Sequence, residues 1–230
     1  MKVRMKFSKN GPIKFIGHLD VMRYFQKAIR RAEIDIAYSQ GFSPHQIMSF
    51  AQPLGVGVES NGEYVDVELN TAVSSKDVMD KLNAVMNEGI KIESVKKLPE
   101  GAINAMASVA ASKYLISIKT GYDLGVDFFS QCAKLSQKEH IYIVKKTKKS
   151  EVEMDLKPAI FEMNVTEDGL MMFVDSSSSG NIKPNLVLEE ACKENGMEYN
   201  PLAFAIRRLD MYTRNQNGKL VSMDEVGEDF

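Results

Sequence analysis

The spacing of apolar residues along the first 95 residues changes repeatedly between that of a strand and that of a helix. Val3, Met5 and Phe7 alternate with polar residues, which predicts a strand with one polar face. From residue 18 to residue 33 the apolar residues recur at intervals of three and four, which predicts an amphipathic helix whose inner face is formed by Leu19, Met22, Phe25, Ile29 and Ala32. A chain patterned in this way must cover paired strands with helices, so the pattern favours a mixed α+β fold.

The alternation continues to residue 95 in a definite order. Strands are predicted over 46–51, 63–70 and 90–95. A helix is predicted between the last two, capped by Ser74 or Ser75 and ended by Gly89. The resulting order, β-α-β-β-α-β, is that of a ferredoxin-like domain, in which four antiparallel strands carry two helices on one face.

A similar order of elements is predicted beyond residue 112. Strands are predicted over 114–119, 140–146, 161–165, 170–174 and 206–212, and helices over 126–135 and 184–195. Four lysines between residues 145 and 149 predict an exposed hairpin tip. The sequence therefore predicts tandem ferredoxin-like halves, 1–98 and 113–230, the second with insertions. The small residues over 99–112 predict a linker, or equally a short packed helix.

Composition limits the range of binding partners. The 230 residues carry a formal net charge of −2 with a pI near 6.0, which argues against a protein that coats nucleic acid or an anionic membrane along its whole length. The N-terminal segment lacks the apolar run of a signal peptide, and no stretch approaches about 18 consecutive apolar residues. We therefore expect a cytoplasmic protein with no membrane association.

Basic residues are concentrated near the N-terminus, where Asp20 and Glu33 are the only acidic residues among the first 33. A local positive surface is predicted from Arg4, Lys6, Lys9, Lys14, Arg23, Lys27, Arg30 and Arg31. Tyr24, Tyr38 and Phe42 lie nearby in sequence and can stack on bases. This combination suits a phosphate-bearing partner such as RNA. The alternative is a solvated helix face that only keeps the protein soluble.

Three runs of sequence are distinctive: FSKNGPIKFIGHLD over 7–20, AYSQGFSPH over 37–45 and PLGVGVES over 53–60. These runs resemble the opening of the DUF2344 family. Members of that family are fused to radical SAM proteins or encoded beside them, and their own molecular activity is unassigned. The resemblance therefore implies a radical SAM protein as partner rather than a particular reaction.

The two cysteines, Cys132 and Cys192, lie far apart inside predicted helices. A radical SAM enzyme needs three closely spaced thiolates, typically CxxxCxxC, to hold its iron–sulfur cluster. Two isolated cysteines cannot supply that cluster, so this chain is not itself a radical SAM enzyme, and we expect no cofactor. The cysteines are predicted to be buried thiols in a reducing compartment.

His18 and His45 each stand where a loop meets a predicted element. A metal site would need a third ligand from Asp20, Asp66 or Glu59, but the spacing supports none. We expect instead that the GHLD turn and the GFSPH loop meet and form a functional face, unless both histidines only cap a helix and a loop. The residues predicted to line this face or lie beside it are His18, Asp20, Arg23, Lys27, Arg30, Ser39, Gln40 and His45.

Two functions fit these features. The first is a non-catalytic accessory module that presents RNA, or another phosphate-bearing substrate, to a separately encoded radical SAM enzyme. The second is a metal-independent RNA-processing endonuclease similar to CRISPR repeat-processing enzymes, with His18 as general base. The glycine-rich loop that such enzymes carry near the C-terminus is missing, because Gly196, Gly218 and Gly227 stand alone. The sequence therefore favours the accessory module over an enzyme.

Overall fold

The computed structural model describes residues 1–146 and 151–230, so the predicted lysine-rich hairpin tip falls largely outside the described residues. The chain divides into two compact units. Unit 1 comprises Met1–Ala110 and Arg208–Phe230, and unit 2 comprises Ala111–Arg207. No helix in the described ranges is long and apolar enough to cross a membrane.

The described helices and strands follow one another as β1 (Lys2–Lys9), α1 (His18–Arg31), β2 (Met48–Phe50), β3 (Glu59–Glu68), α2 (Ser75–Val85), β4 (Ile90–Lys97), α3 (Ala105–Ser108), β5 (Ala111–Ile118), α4 (Phe128–Leu135), β6 (Tyr142–Lys146), β7 (Glu151–Asp155), β8 (Ile160–Thr166), β9 (Gly169–Asp175), α5 (Pro184–Glu194), β10 (Phe204–Arg214) and β11 (Leu220–Ser222).

The sheet of unit 1 is centred on β1 and β3. β1 pairs antiparallel with both β3 and β4, and β2 pairs antiparallel with β3. The register places Val3 opposite Val67 and Met5 opposite Val65, so the apolar sides of both strands face the same layer. β10 is also hydrogen-bonded to β3, and β11 pairs antiparallel with the end of β10.

The main core of unit 1 lies between this sheet and the helices α1 and α2. Phe7, Phe25, Val65, Leu82 and Ile92 are all buried there, as the sequence pattern predicts. α2 is capped by the side chain of Ser74, which accepts a hydrogen bond from the backbone N–H of Asp77.

The predicted inner face of α1 is confirmed at Phe25, Ile29 and Ala32 but is wrong in the first turn of the helix. Leu19, expected in the core, is 64% exposed, and Met22 is only half-buried. The buried residues of the helix are Val21, Phe25, Ala28 and Ile29. They recur at intervals of four, three and one, so Val21 takes the place expected for Leu19 and Met22 in the first turn.

The second face of the unit 1 sheet is also covered, although the sequence predicted helices on one face only. Tyr64, which alternates with the inward-facing Val65, packs in a smaller cluster with Ala105 of α3 and Met211 of β10. The backbone N–H of Ala105 donates to Asp66 Oδ2 at 2.6 Å. Of the two alternatives predicted for residues 99–112, a linker or a short packed helix, the helix is confirmed for Ala105–Ser108.

Unit 2 contains an antiparallel arrangement of β5, β8 and β9, with the first residues of β10 beside β5. β6 and β7 form a separate two-stranded hairpin. The core includes residues of α4 and α5, among them both cysteines. Burial raises the pKa of both thiols, that of Cys132 to about 12, so the prediction of buried thiols is confirmed.

The two units do not follow the predicted division at residues 98 and 113. Residues 208–230, assigned from sequence to the second half, belong to unit 1 because β10 continues along β3. The Tyr64 hydroxyl donates to Asp210 Oδ1 at 2.5 Å, which fixes this return. The mixed α+β class and the mostly antiparallel sheets are confirmed, while the finer assignment of two ferredoxin-like halves stays a prediction.

We expect Leu82→Ala to lower the free energy of unfolding by about 2–5 kcal/mol, because Leu82 is fully buried between α2 and the sheet. The matched control is Leu19→Ala, whose effect should stay within about 0.5 kcal/mol because the side chain is exposed. Urea denaturation measures both. A loss below about 0.5 kcal/mol for Leu82→Ala would contradict the packing of α2.

Candidate functional site

A pocket opens in unit 1 where β1 ends and α1 begins. Its polar lining comes from Lys9, His18, Gln52 and Glu63, and aromatic rings such as that of Phe50 form part of its wall. Its empty space is about 340 Å³ when the solvent at its open mouth is included, so the enclosed part is smaller. Polar groups on an apolar wall are typical of a binding site.

Lys9 holds the loop that brings His18 to the pocket. Its side chain is buried at the end of β1, and Nζ donates to the carbonyl oxygens of Ile16 at 2.9 Å and Lys14 at 3.3 Å. Burial lowers the pKa of Lys9, while the charge of Glu63 acts in the opposite direction. The buried ammonium therefore fixes the turn that precedes α1.

Glu63 forms a buried ion pair with Arg208. Nη1 of Arg208 lies 3.0 and 3.1 Å from the two carboxylate oxygens, and both side chains are less than 10% exposed. Arg208 also donates to the backbone carbonyl of Gln52 at 3.1 Å. Burial raises the pKa of Glu63, and the charges of Arg208 and Lys9 oppose that rise. The pair thus ties β3, β10 and the segment after β2 together beside the pocket.

His18 is the first residue of α1, and its half-buried ring meets Phe50 edge-on with 5.6 Å between the ring centroids. Burial lowers its pKa, so the imidazole is neutral at pH 7. Within the described residues its ring nitrogens have no hydrogen-bond partner. A neutral imidazole in this position can donate one hydrogen bond to a ligand and accept another.

The other predicted histidine, His45, lies outside this pocket lining and is held by its own loop. Its Nδ1 lies 2.8 Å from Ser39 Oγ, and its backbone N–H donates to the same oxygen at 3.1 Å. Gln40 is exposed in that loop. No hydrogen bond or ring contact joins His18 to His45 in the described part of the chain. That the two histidines share one ligand stays a prediction.

The predicted basic residues of α1 form an exposed stripe, defined here as Arg23, Lys27 and Arg30. The stripe lies on the helix face opposite the buried residues. Arg23 lies 3.4 Å from the exposed carboxylate of Asp20. Lys27 and Arg30 have no acidic partner among the described residues.

The rest of the predicted positive surface is largely used inside the fold. Arg4 is 2% exposed, and its Nε lies 2.8 Å from Asp66 Oδ1. Lys6 pairs with Asp210 at 3.3 Å, and Lys14 pairs with Glu59 at 3.0 Å. Arg4 is buried because the face of β1 that the sequence marks as polar is covered by the segment around α3, where Arg4 Nη2 donates to the carbonyl oxygen of Ile103 at 3.2 Å.

The pocket contains charged residues that the sequence did not identify as site residues. Lys9 follows Phe7 at the strand interval of two, and Glu63 precedes Val65 at the same interval. Both charges therefore stand at positions that alternation assigns to the core. A charged residue at a core position of a strand indicates a buried polar cluster, so the sequence could have marked Lys9 and Glu63. No such pattern in the sequence marks Arg208.

We expect the His18 imidazole to titrate below 6.5, the ordinary value of a histidine, because burial disfavours its charged form. The unfolded chain then takes up the proton first as the pH falls. The contribution of His18 to the free energy of unfolding is therefore fully present above pH 6.5. It is lost as the pH falls from 6.5 toward the pKa of His18 in the folded protein.

Side-chain NMR across about pH 4–8 measures the midpoint, and loss of the signal in His18→Gln assigns it. The pH dependence of stability should weaken in His18→Gln and persist in the control His45→Gln. A midpoint at or above 6.5 would contradict burial of the ring.

The described residues contain no group of three or more histidine, cysteine, aspartate or glutamate side chains that could hold a metal ion.

No curated protein matches the sequence. Among solved structures, the chain is similar to one chain in "Crystal Structure of a Cbf5-Nop10-Gar1 Complex", with a TM-score of 0.50 and 10% sequence identity. The match covers 91% of this chain and 48% of that chain, so this protein spans about half the length of its structural neighbour.

At 10% sequence identity, the similarity between the two chains shows only that their folds are alike. The sequence itself gives a stronger result, because the model of one protein family covers most of the chain. That family is DUF2344, described as an uncharacterized protein conserved in bacteria; its model matches residues 2–184, and the chain belongs to it.

Proposed function

We propose that this protein is a non-catalytic accessory module that binds RNA, or another phosphate-bearing substrate, on unit 1 and presents it to a separately encoded radical SAM enzyme. The observation that carries the proposal is the exposed basic stripe of α1. Three cations at helical spacing on one solvent-facing surface attract phosphates, and Lys27 and Arg30 have no competing acidic partner in the described ranges.

The charge of the rest of the protein restricts the attraction of phosphates to the surface of α1. The whole protein has a formal net charge of −2, and Arg4, Lys6 and Lys14 are neutralised by carboxylates within unit 1. A phosphate backbone therefore meets net positive charge along α1 rather than over the whole surface. This supports binding by a defined patch.

The pocket at the start of α1 supports the same proposal. α1 carries the stripe along its exposed face and His18, with a neutral imidazole, at its first residue, so both features belong to one element. The imidazole can hydrogen-bond a phosphate oxygen or a base edge. Lys9 and the ion pair of Glu63 with Arg208 hold the pocket wall and thereby orient His18.

The partner in this proposal is supported by the family and by the cysteines. The resemblance of residues 7–60 to DUF2344 implies a radical SAM protein encoded nearby. Cys132 and Cys192 are buried in the core of unit 2, where their raised pKa values keep them protonated. The thiolates of a radical SAM cluster would therefore come from the partner.

We also propose that each unit is built on a ferredoxin-like domain. The support in unit 1 is the strand order β4-β1-β3 with β2 on the far side of β3, in antiparallel pairs. The support in unit 2 is the order β10-β5-β9-β8, with the hairpin of β6 and β7 inserted after α4. Both orders follow from a β-α-β-β-α-β chain whose first and third strands are central.

We expect the triple variant Arg23→Gln, Lys27→Gln, Arg30→Gln to bind a fluorescently labelled RNA at least about tenfold more weakly at about 100 mM salt. Because up to three phosphate contacts are lost, the slope of log K against log salt should become shallower by about two. Fluorescence anisotropy across a salt series measures both quantities.

The matched control for the stripe is Lys119→Gln, Lys134→Gln, Lys183→Gln, which removes three exposed cations from unit 2. Its affinity should stay within about threefold of the wild type. Equal weakening in both triple variants would mean that only net charge matters. Absence of RNA binding by the wild type would refute the RNA-binding part of the proposal.

We expect a radical SAM protein, if one is encoded beside this chain, to co-purify with it in stoichiometric yield when both are expressed anaerobically. Size-exclusion chromatography with subunit quantification measures the ratio. Consistent recovery of the two proteins in separate fractions would count against an accessory role.

The lowered pKa of His18 favours one second candidate, the metal-independent endonuclease. A general base must be unprotonated, and burial keeps this imidazole neutral at pH 7. Structured RNA incubated with the protein in the presence of a metal chelator decides between the candidates. Cleavage that is lost in His18→Ala identifies an enzyme, whereas intact RNA, or cleavage unchanged in that variant, removes this candidate.

A further inference from the structure

The loop of residues 38–46 is closed at its base by its own hydrogen bonds. Tyr38 forms a β-bridge with Gln46, and the backbone N–H of Ser39 donates to the carbonyl oxygen of His45 at 2.8 Å. The Ser39 hydroxyl lies 2.8 Å from Nδ1 of His45 and accepts from the His45 backbone N–H at 3.1 Å. These contacts hold the two ends of the loop together and leave residues 40–44 as an exposed tip.

The tip presents an aromatic ring to solvent. Phe42 is fully exposed, and Tyr38 at the base of the loop is 47% exposed. Gly41, next to Phe42, has a φ of +109°, a backbone conformation that glycine adopts readily, so the chain can turn here. Phe42 contributes nothing to either core, so its ring is available to contact a ligand.

The base of this loop is attached to the helix that carries the basic stripe. The side chain of Gln46 is buried, and its Nε2 donates to the backbone carbonyl of Gln26 at 3.4 Å. Gln26 lies in the middle of α1, between Arg23 and Lys27. An aromatic platform and a row of cations therefore stand on two directly connected elements.

We infer that the 38–46 loop is a stacking platform for unpaired RNA bases, with Phe42 as the principal ring and the stripe of α1 holding the phosphates. The inference rests on the proposed RNA binding and names its substrate class, single-stranded rather than duplex RNA. Rings beside a positive groove bind single strands because every base has a face that can stack. Bases within a duplex are already stacked and are closed to a protruding ring.

The bracing of the loop gives Ser39 and His45 a positioning role in this site. Their hydrogen bonds limit the conformations of the tip, so less conformational entropy is lost when a base stacks on Phe42. His45 therefore acts through the loop and needs no contact with His18.

The test uses the full chain and a labelled, unstructured single-stranded RNA, alone and annealed to its complement. Phe42→Ala should weaken binding of the single strand by about 5- to 150-fold, the range expected for loss of one stacked base. Binding of the duplex should change by less than about twofold. The salt dependence should stay unchanged, because no phosphate contact is lost.

A direct readout comes from the absence of tryptophan in the sequence. The Phe42→Trp variant carries a single tryptophan, whose fluorescence should be quenched when single-stranded RNA stacks on it. The matched control, Tyr122→Trp, places the same reporter at an exposed aromatic position of unit 2 and should show no quenching. Unchanged far-UV circular dichroism and thermal midpoints establish that both variants are folded.

The outcomes separate this inference from the proposed function. If the wild type binds RNA but Phe42→Ala binds the single strand normally and Phe42→Trp shows no quenching, the stacking platform is overturned and RNA binding survives. Equal weakening for single strand and duplex also overturns it. If Phe42→Ala instead loses only the radical SAM protein, the loop is a protein contact. If the wild type binds no RNA, both proposals fail.

Discussion

The buried ion pair of Glu63 with Arg208 connects three distant parts of unit 1, namely β3, β10 and the segment that follows β2. Two charges removed from water are costly, and removing either partner would leave the other uncompensated at a cost of about 3–5 kcal/mol. Because Lys9 stands within the field of Glu63 and also holds the turn before α1, this charge cluster fixes the position of His18.

The cations of unit 1 divide into two groups with different roles. Arg4 and Arg208 are buried and paired, so they specify which strands and loops meet. The stripe of α1 is exposed and takes no part in packing, so it is free to act on a ligand. Asp66 pairs with Arg4 and Glu63 pairs with Arg208, so neither arginine adds to the positive surface of unit 1.

Most individual elements of this fold could be predicted because their signals are local. The amphipathic pattern located α1, Ser74 located the start of α2, and Pro184 located the start of α5. The inner face of α1 is predicted correctly at Phe25 and Ile29 but not at Leu19, which fits the apolar repeat and is nevertheless exposed. The sequence predicts the candidate site only in part: it indicates His18, which lines the pocket, whereas the charge cluster of Lys9, Glu63 and Arg208 is evident only from the structure.

The sequence by itself determined the family, the mixed α+β class, the α1 stripe and the absence of a radical SAM cysteine motif, since each depends on residue type and short-range spacing. The tertiary structure alone decided which charges are buried, that residues 208–230 return to unit 1, and that His18 and His45 have different surroundings. These features depend on contacts between residues far apart in the sequence, such as Gln52 and Arg208, which are 156 positions apart. Local spacing does not specify such pairs, because they form only when the sheet brings distant strands together.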